Sequence, residues 1–186
     1  MTLAGPRSPR ILLLPGWRGA DAAHWQSVWQ RQHGYRRVEQ DDWDWPRRGD
    51  WMARLEEVLL EDDAPAVLVA HGLGCQLVAA WAEHSHNAAR VQAALLVAPP
   101  DTERTDMPPQ LFNWRSSVRT RLPFASHVVS SANDPFCTPE RAARMAADWG
   151  CTISRLGPHG HINAESGLKD WRQGHALLLN LIGRRT

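Results

Sequence analysis

Val67-Leu68-Val69-Ala70 is apolar at every position and runs straight into a small-residue turn, His71-Gly72-Leu73-Gly74. A strand with one wet face alternates apolar and polar side chains, whereas a strand covered on both faces is apolar throughout. Residues 11–15, Ile-Leu-Leu-Leu-Pro followed by Gly16, repeat the pattern. Two such strands call for a mostly parallel sheet with helices on both faces. The remaining sequence supplies the alternation that such a sheet needs. A helix is predicted over 21–32, with Asp21 at its cap and Trp25, Val28 and Trp29 on one face; a weak strand follows at 36–40. Trp51, Leu55, Val58 and Leu59 mark an amphipathic helix capped near Asp50, and a helix leaves the 71–75 turn and runs to about 84. Strands are predicted at 91–98, 126–132 and 152–156, with helices near 139–149 and 171–182. The expectation is one α/β domain over residues 1–186, in which 1–9 form a flexible N-terminal segment.

Ligands of open α/β sheets collect at the carboxyl ends of the strands, so residues just after strands are the candidates. The 67–74 segment has the frame of a nucleophile elbow, a strand–turn–helix unit with small residues two before and two after the attacking side chain. Ala70 and Gly74 fill those places, and the attacking position itself holds Gly72, which has no side chain to attack with. Asp134, in Ala132-Asn133-Asp134-Pro135, follows a predicted strand and is placed to orient a histidine. His161 follows the last predicted strand on a glycine-flanked loop and is the candidate general base, with His159 as its rival. The order 72, 134, 161 is the α/β-hydrolase order of nucleophile, acid and histidine. Trp17, after the first strand, and Leu73 are positioned to give backbone N–H groups to an oxyanion hole. Trp17, His71, Phe112 and Trp114 are expected to contact substrate. The proline-rich stretch 99–124 is either a small cap over the site or a surface crossing.

Other chemistry is less well supported. Cys75, one turn into the following helix, is a second conceivable nucleophile, although a free cysteine there usually points into packing. Water activated by the histidine–aspartate pair would be slow without a positioned acceptor. The His159-x-His161 pair lacks a third ligand at sensible spacing for a metal, and no phosphate loop, dinucleotide fingerprint or other cofactor motif is present. Lys and Arg number 21 against 20 Asp and Glu, which gives no electrostatic case for nucleic acid or an anionic membrane as partner. No apolar run is long enough for a signal core or a membrane span, and three cysteines at unremarkable spacing suit a reducing compartment; a soluble, cytoplasmic protein is expected. A protein partner is conceivable but has no sequence support. Ten tryptophans accompany three phenylalanines and one tyrosine, and six of them fall between Trp17 and Trp51. They read as packing between helices and sheet, or alternatively as an aromatic wall around an apolar pocket.

The segments LLLPGW, HWQSVW, VEQDDWDWP, VLVAHGLGC, ALLVAPPD, ANDPFC and GHINAESG, in that order and spanning roughly residues 11–181, resemble the small serine hydrolases that include retinoblastoma-binding protein nine and its bacterial YdeN-type relatives. The resemblance implies a compact α/β-hydrolase fold with little or no lid, and hydrolysis of small esters or amides by a Ser-His-Asp mechanism. It carries the acid to Asp134 and the base to His161. In one place the chain departs from that pattern: where the family reads His-Ser-Leu-Gly-Cys, this sequence reads His71-Gly72-Leu73-Gly74-Cys75. Losing the serine of a triad lowers turnover by about 10⁶-fold, so near-inactivity in acyl transfer is expected. Two further roles follow for the same residues: a non-catalytic relative that binds a small acyl or aromatic molecule, or an interaction protein that only uses the shape.

Overall fold

The computed structural model describes residues 8–183, so most of the segment expected to be flexible, residues 1–7, lies outside the described residues. One six-stranded sheet, parallel at every pairing, runs in the order β2-β1-β3-β4-β5-β6. Its strands are β1 (Arg10–Leu14), β2 (Arg36–Arg37), β3 (Ala66–His71), β4 (Val91–Val97), β5 (Ala125–Ser131) and β6 (Thr152–Leu156). The helices are α1 (Trp25–His33), α2 (Arg48–Leu60), α3 (Leu73–His84), α4 (Pro139–Trp149) and α5 (Arg172–Gly183).

Side chains alternate across a strand, and here both faces of the alternation are covered. Leu12, Leu14, Leu68 and Ala70 pack into one core with α2, α3 and α4, whereas Leu13, Val67 and Val69 pack into a second with α1 and α5. The unbroken apolar runs in β1 and β3 follow from that double cover. Seven tryptophans, at 25, 29, 51, 81, 114, 149 and 171, are buried in these layers. Their ring N–H groups reach carbonyl oxygens across the fold, as Trp25 does at Ile162 (2.8 Å) and Trp149 at Val118 (2.7 Å). Packing thus accounts for most of the tryptophan content.

Three boundaries differ from expectation. Asp21 does not cap α1; its carboxylate accepts the N–H groups of Ala23 and His24, closing a turn, and the helix starts later with His24 as cap. In α2 the cap position is Arg47, and Asp50 sits inside the first turn, where its charge complements the helix dipole. The weak strand shrinks to Arg36–Arg37 because it is an edge pairing only with β1.

The topology leaves one crevice. From β1 the chain moves outward to β2, and from β3 it moves the opposite way to β4, so the adjacent carboxyl ends of β1 and β3 open away from each other. The 99–124 connection, with one short 3-10 turn at Pro109–Trp114, flanks this crevice and forms part of its wall. No described helix is long and apolar enough to cross a membrane.

Candidate active site

The turn between β3 and α3 is tight for identifiable reasons. A Cβ at Gly74 would run into the Leu14 carbonyl oxygen and lie 3.1 Å from its carbon, so glycine is what lets α3 start against the end of β1. A Cβ at Gly16 would lie 2.9 Å from the His71 oxygen and 3.1 Å from the Leu73 nitrogen, so the loop after β1 touches the same turn. Between them, Gly72 adopts φ 55°, ψ −127°, a conformation that side chains disfavour. Its N–H donates to Val97 O (2.9 Å), and its own oxygen accepts from Cys75 N–H (2.9 Å). Leu73 opens α3, so its N–H has no acceptor one turn back.

Two further loops converge here. Asp134 follows β5, and its side chain is 3% exposed. Its two carboxylate oxygens stand 3.1 and 3.0 Å from His161 Nδ1, and one of them also accepts from Phe136 N–H (2.9 Å). A carboxylate only accepts, so Nδ1 carries the proton and Nε2 of the neutral ring presents its lone pair. That lone pair faces the turn: a Cβ built at Gly72 would lie 3.1 Å from Nε2. The carboxylate takes His161 and not its rival His159, which is held through its backbone N–H by Ser131 Oγ at 3.0 Å.

The histidine loop is tied down at several points. Asn133 Oδ1 accepts from Gly160 N–H (2.7 Å), linking the loop to the turn that holds Asp134. Ile162 is fully buried at φ 51°, and its oxygen takes the Trp25 indole N–H. His71 Nε2–H donates to the His161 oxygen (2.9 Å), while the Phe136 ring packs edge-to-face with the imidazole, centroids 4.8 Å apart. Asn133, Ser131, Phe136 and His24 were not singled out from the sequence. Asn133 and Ser131 act through backbone hydrogen bonds that leave no periodic signal, and His24 reads there as an ordinary residue near a helix start.

A cavity of about 620 Å³ opens over this constellation. Trp17, His71, Leu73 and His161 line it, and the 99–124 connection contributes Thr102, Met107, Pro108 and Leu111 among others. Two expected substrate contacts are corrected. Trp114 is buried beneath the wall, packed edge-on against Trp51 with its N–H on Pro46 O (2.8 Å), and does not face the cavity. Phe112 is 47% exposed, carries the Arg115 guanidinium over its ring and lies outside the lining. Both sit on the 3-10 turn, from which Leu111 reaches the cavity instead.

Cys75 is fully buried behind the turn, with its sulfur 3.3 Å from Val97 O, and burial pushes the thiol well above its ordinary range. Iodoacetamide applied to the native chain should leave Cys75 unmodified, read by mass spectrometry of its peptides; alkylation of the folded protein there would make it a nucleophile candidate again.

His24 has a different consequence. Its Nδ1 accepts from Gln26 N–H (3.1 Å) as the cap of α1, and burial lowers its pKa to about 4. An unfolded histidine titrates near 6.5, so between about 6.5 and 4 the unfolded chain takes up a proton that the folded chain refuses. Stability is therefore full above that window and falls as pH drops through it, by up to about 3 kcal/mol from this residue. Urea midpoints at pH 7 and pH 4.5 should show the loss, and His24→Asn, which keeps a cap acceptor, should reduce it. An acid slope identical in the variant would remove His24 as its cause.

The match of residues 11–180 to the serine hydrolase family covers nearly all of this fold, including the turn, the acid and the histidine. The chain belongs to the serine hydrolase family. Among solved structures, this serine hydrolase is similar to a YdeN-like hydrolase from Pectobacterium atrosepticum, at 26% identity over 93% of this chain and 90% of that one, with a TM-score of 0.83. It shares its fold with the YdeN product of B. subtilis (15% identity, 95% and 100% covered, TM-score 0.73) and with a hydrolase from Oleispira antarctica (12%, 97% and 93%, 0.72). No curated protein matches the chain.

Proposed function

We propose that this serine hydrolase carries an acyl-transfer site for small esters or amides that is complete except for its nucleophile, so that the chain as it stands turns such molecules over barely at all. Asp134 orients His161, His161 is the general base, and the N–H groups of Trp17 and Leu73 supply the oxyanion hole. Trp17, His71, Leu111 and Phe136 form the walls that receive the acyl group. The observation that carries the reading is the aim of His161 Nε2 at the place above Gly72 where a serine side chain would stand, 3.1 Å from its Cβ position. An oxyanion hole and binding groups alone leave roughly 10³–10⁴-fold over water when a triad loses a member, far below an intact triad.

The direct test is covalent. Gly72→Ser should become labelled by a fluorophosphonate probe at residue 72, with the unsubstituted chain unlabelled. A folded serine variant that stays unlabelled would show that the turn is not a nucleophile elbow. A second reading draws on the same glycine: the site binds an acyl or aromatic small molecule without turning it over, because the thiol nearest the turn, Cys75, is buried behind it.

A further inference from the structure

Glycine at 72 changes what the site offers a ligand. In the neutral ring, His161 Nε2 presents a lone pair and makes no hydrogen bond with the described residues, while Asp134 holds Nδ1 on the far side. The Gly16 Cα lies 3.8 Å from the same Cβ position at residue 72, and a Cβ at Gly16 would lie 3.1 Å from the Leu73 nitrogen, so the loop that carries Trp17 and the start of α3, with its Leu73 N–H, border one small space beside the imidazole. A serine hydroxyl would fill the side next to the imidazole; with glycine, that side is open to an oxygen of the ligand. The space therefore offers a proton-sharing nitrogen on one side and N–H donors on the other. A carboxyl group matches both, since its two oxygens can each meet one side.

A separate observation also points to oxygen on the ligand. His24 is 4% exposed and lies in the wall of the same cavity. Its Nδ1 is already an acceptor, so the ring proton is on Nε2, and that N–H has no partner among the described residues; the buried Thr102 hydroxyl in the wall has none among them either. Of the guanidinium groups in the wall, Arg104 is committed to Asp106, whereas Arg18 lies over the Trp17 ring in no ion pair with the described residues, so the His161 imidazole and Arg18 answer an acid in a wall that also carries Asp21, Asp101 and Glu165. Leu73, Met107, Leu111 and Phe136 supply apolar lining for a carbon chain.

We propose that the cavity binds a free carboxylic acid with an apolar or aromatic chain, one carboxyl oxygen sharing a proton with His161 Nε2 and the other accepting from the N–H groups of Trp17 and Leu73. This rests on the acyl-site reading above, and it makes the acid, the product of ester cleavage, the resident ligand. The complex holds one proton between acid and imidazole. Around His161 stand Asp134 from the turn after β5, His71 from the end of β3 and His24 from the start of α1. Burial keeps both neighbouring histidines neutral, with His24 lowered to about 4 and His71 well below its ordinary value.

Calorimetry of the unsubstituted chain with 4-phenylbutyrate, its methyl ester and 4-phenylbutan-1-ol tests this. The acid should bind at least about tenfold tighter than the ester or the alcohol, because hydrogen bonds to an ionised group are roughly twice as strong as neutral ones. Gly72→Ser, whose hydroxyl takes the place beside Nε2, and His161→Phe should each abolish the preference. Equal affinity for the three ligands overturns the proposal, and so does a preference that survives both substitutions. The outcomes separate from those above. If Gly72→Ser is labelled by fluorophosphonate but the chain shows no acid preference, only this proposal falls. If the chain prefers acid and the serine variant stays unlabelled, the hydrolase reading falls and the binding site stands.

Discussion

Gly72→Ser should hydrolyse 4-nitrophenyl butyrate at least about 10³-fold faster than the unsubstituted chain, against the roughly 10⁶-fold that a complete serine triad loses with its nucleophile. The expected gain is set below the full factor for a structural reason. A Cβ at 72 would stand 3.1 Å from His161 Nε2 and 3.8 Å from Cε1, so the imidazole must retreat by a few tenths of an ångström before a hydroxyl fits between them. It is backed by Asp134, and the Phe136 ring packs edge-to-face against it, so the retreat is limited. Adding Asp134→Asn to the serine variant should remove most of the gain, since an orienting aspartate is worth about 10⁴-fold in a triad. The same serine should lower stability by about 1–3 kcal/mol, because residue 72 sits at a positive φ that a side chain strains to adopt. Steady-state rates and urea melts of the two variants check both halves. A serine variant as inactive as the glycine form, with its fold intact, would break the link between this turn and acyl transfer.

The second large effect is on folding. Gly74→Ala should destabilise the chain by about 3 kcal/mol or more, at or beyond the upper end of ordinary overpacking, because the added carbon meets the β1 backbone at Leu14 and Pro15 rather than a side chain that can turn aside. With a denaturant slope of about 1–3 kcal/mol per molar urea, the midpoint should fall by about 1 M or more. Gly157→Ala is the control: a Cβ there meets nothing within 4 Å, and its stability should stay within about 0.5 kcal/mol. A Gly74→Ala midpoint equal to that of the control would mean that α3 and β1 do not approach as closely as described.

Much of this site was readable along the chain. The apolar runs in β1 and β3 announce strands covered on both faces, and the spacing of Ala70, Gly72 and Gly74 announces a tight strand-to-helix turn, because close backbone approach demands small residues at fixed offsets. Asp134 and His161 could be picked out because they follow strands, where the crevice of a parallel sheet must open. Phe112 and Trp114 depart from expectation for the opposite reason. The 99–124 stretch has no period long enough to tell an inward side chain from an outward one. Trp114 turned into the core because a large ring with one N–H found both an aromatic neighbour and a carbonyl there. The start of α1 was misplaced by a similar ambiguity, since an aspartate before a helix caps it or closes a turn ahead of it with the same hydrogen bonds.

Local sequence determined which segments are strands and helices, which turn carries glycine in place of serine, and which acid and histidine follow strands, because periodicity and turn chemistry act over a few residues. Tertiary structure alone decided that His161 and not His159 meets Asp134, that its Nε2 faces Gly72, and that His24 carries an unanswered N–H in the wall of the same cavity. Those facts depend on loops 27 to 137 residues apart meeting at one end of the sheet, held by Asn133 on Gly160 and Trp25 on Ile162. Contacts of that range arise from packing the whole sheet at once, and no short window of the chain contains them.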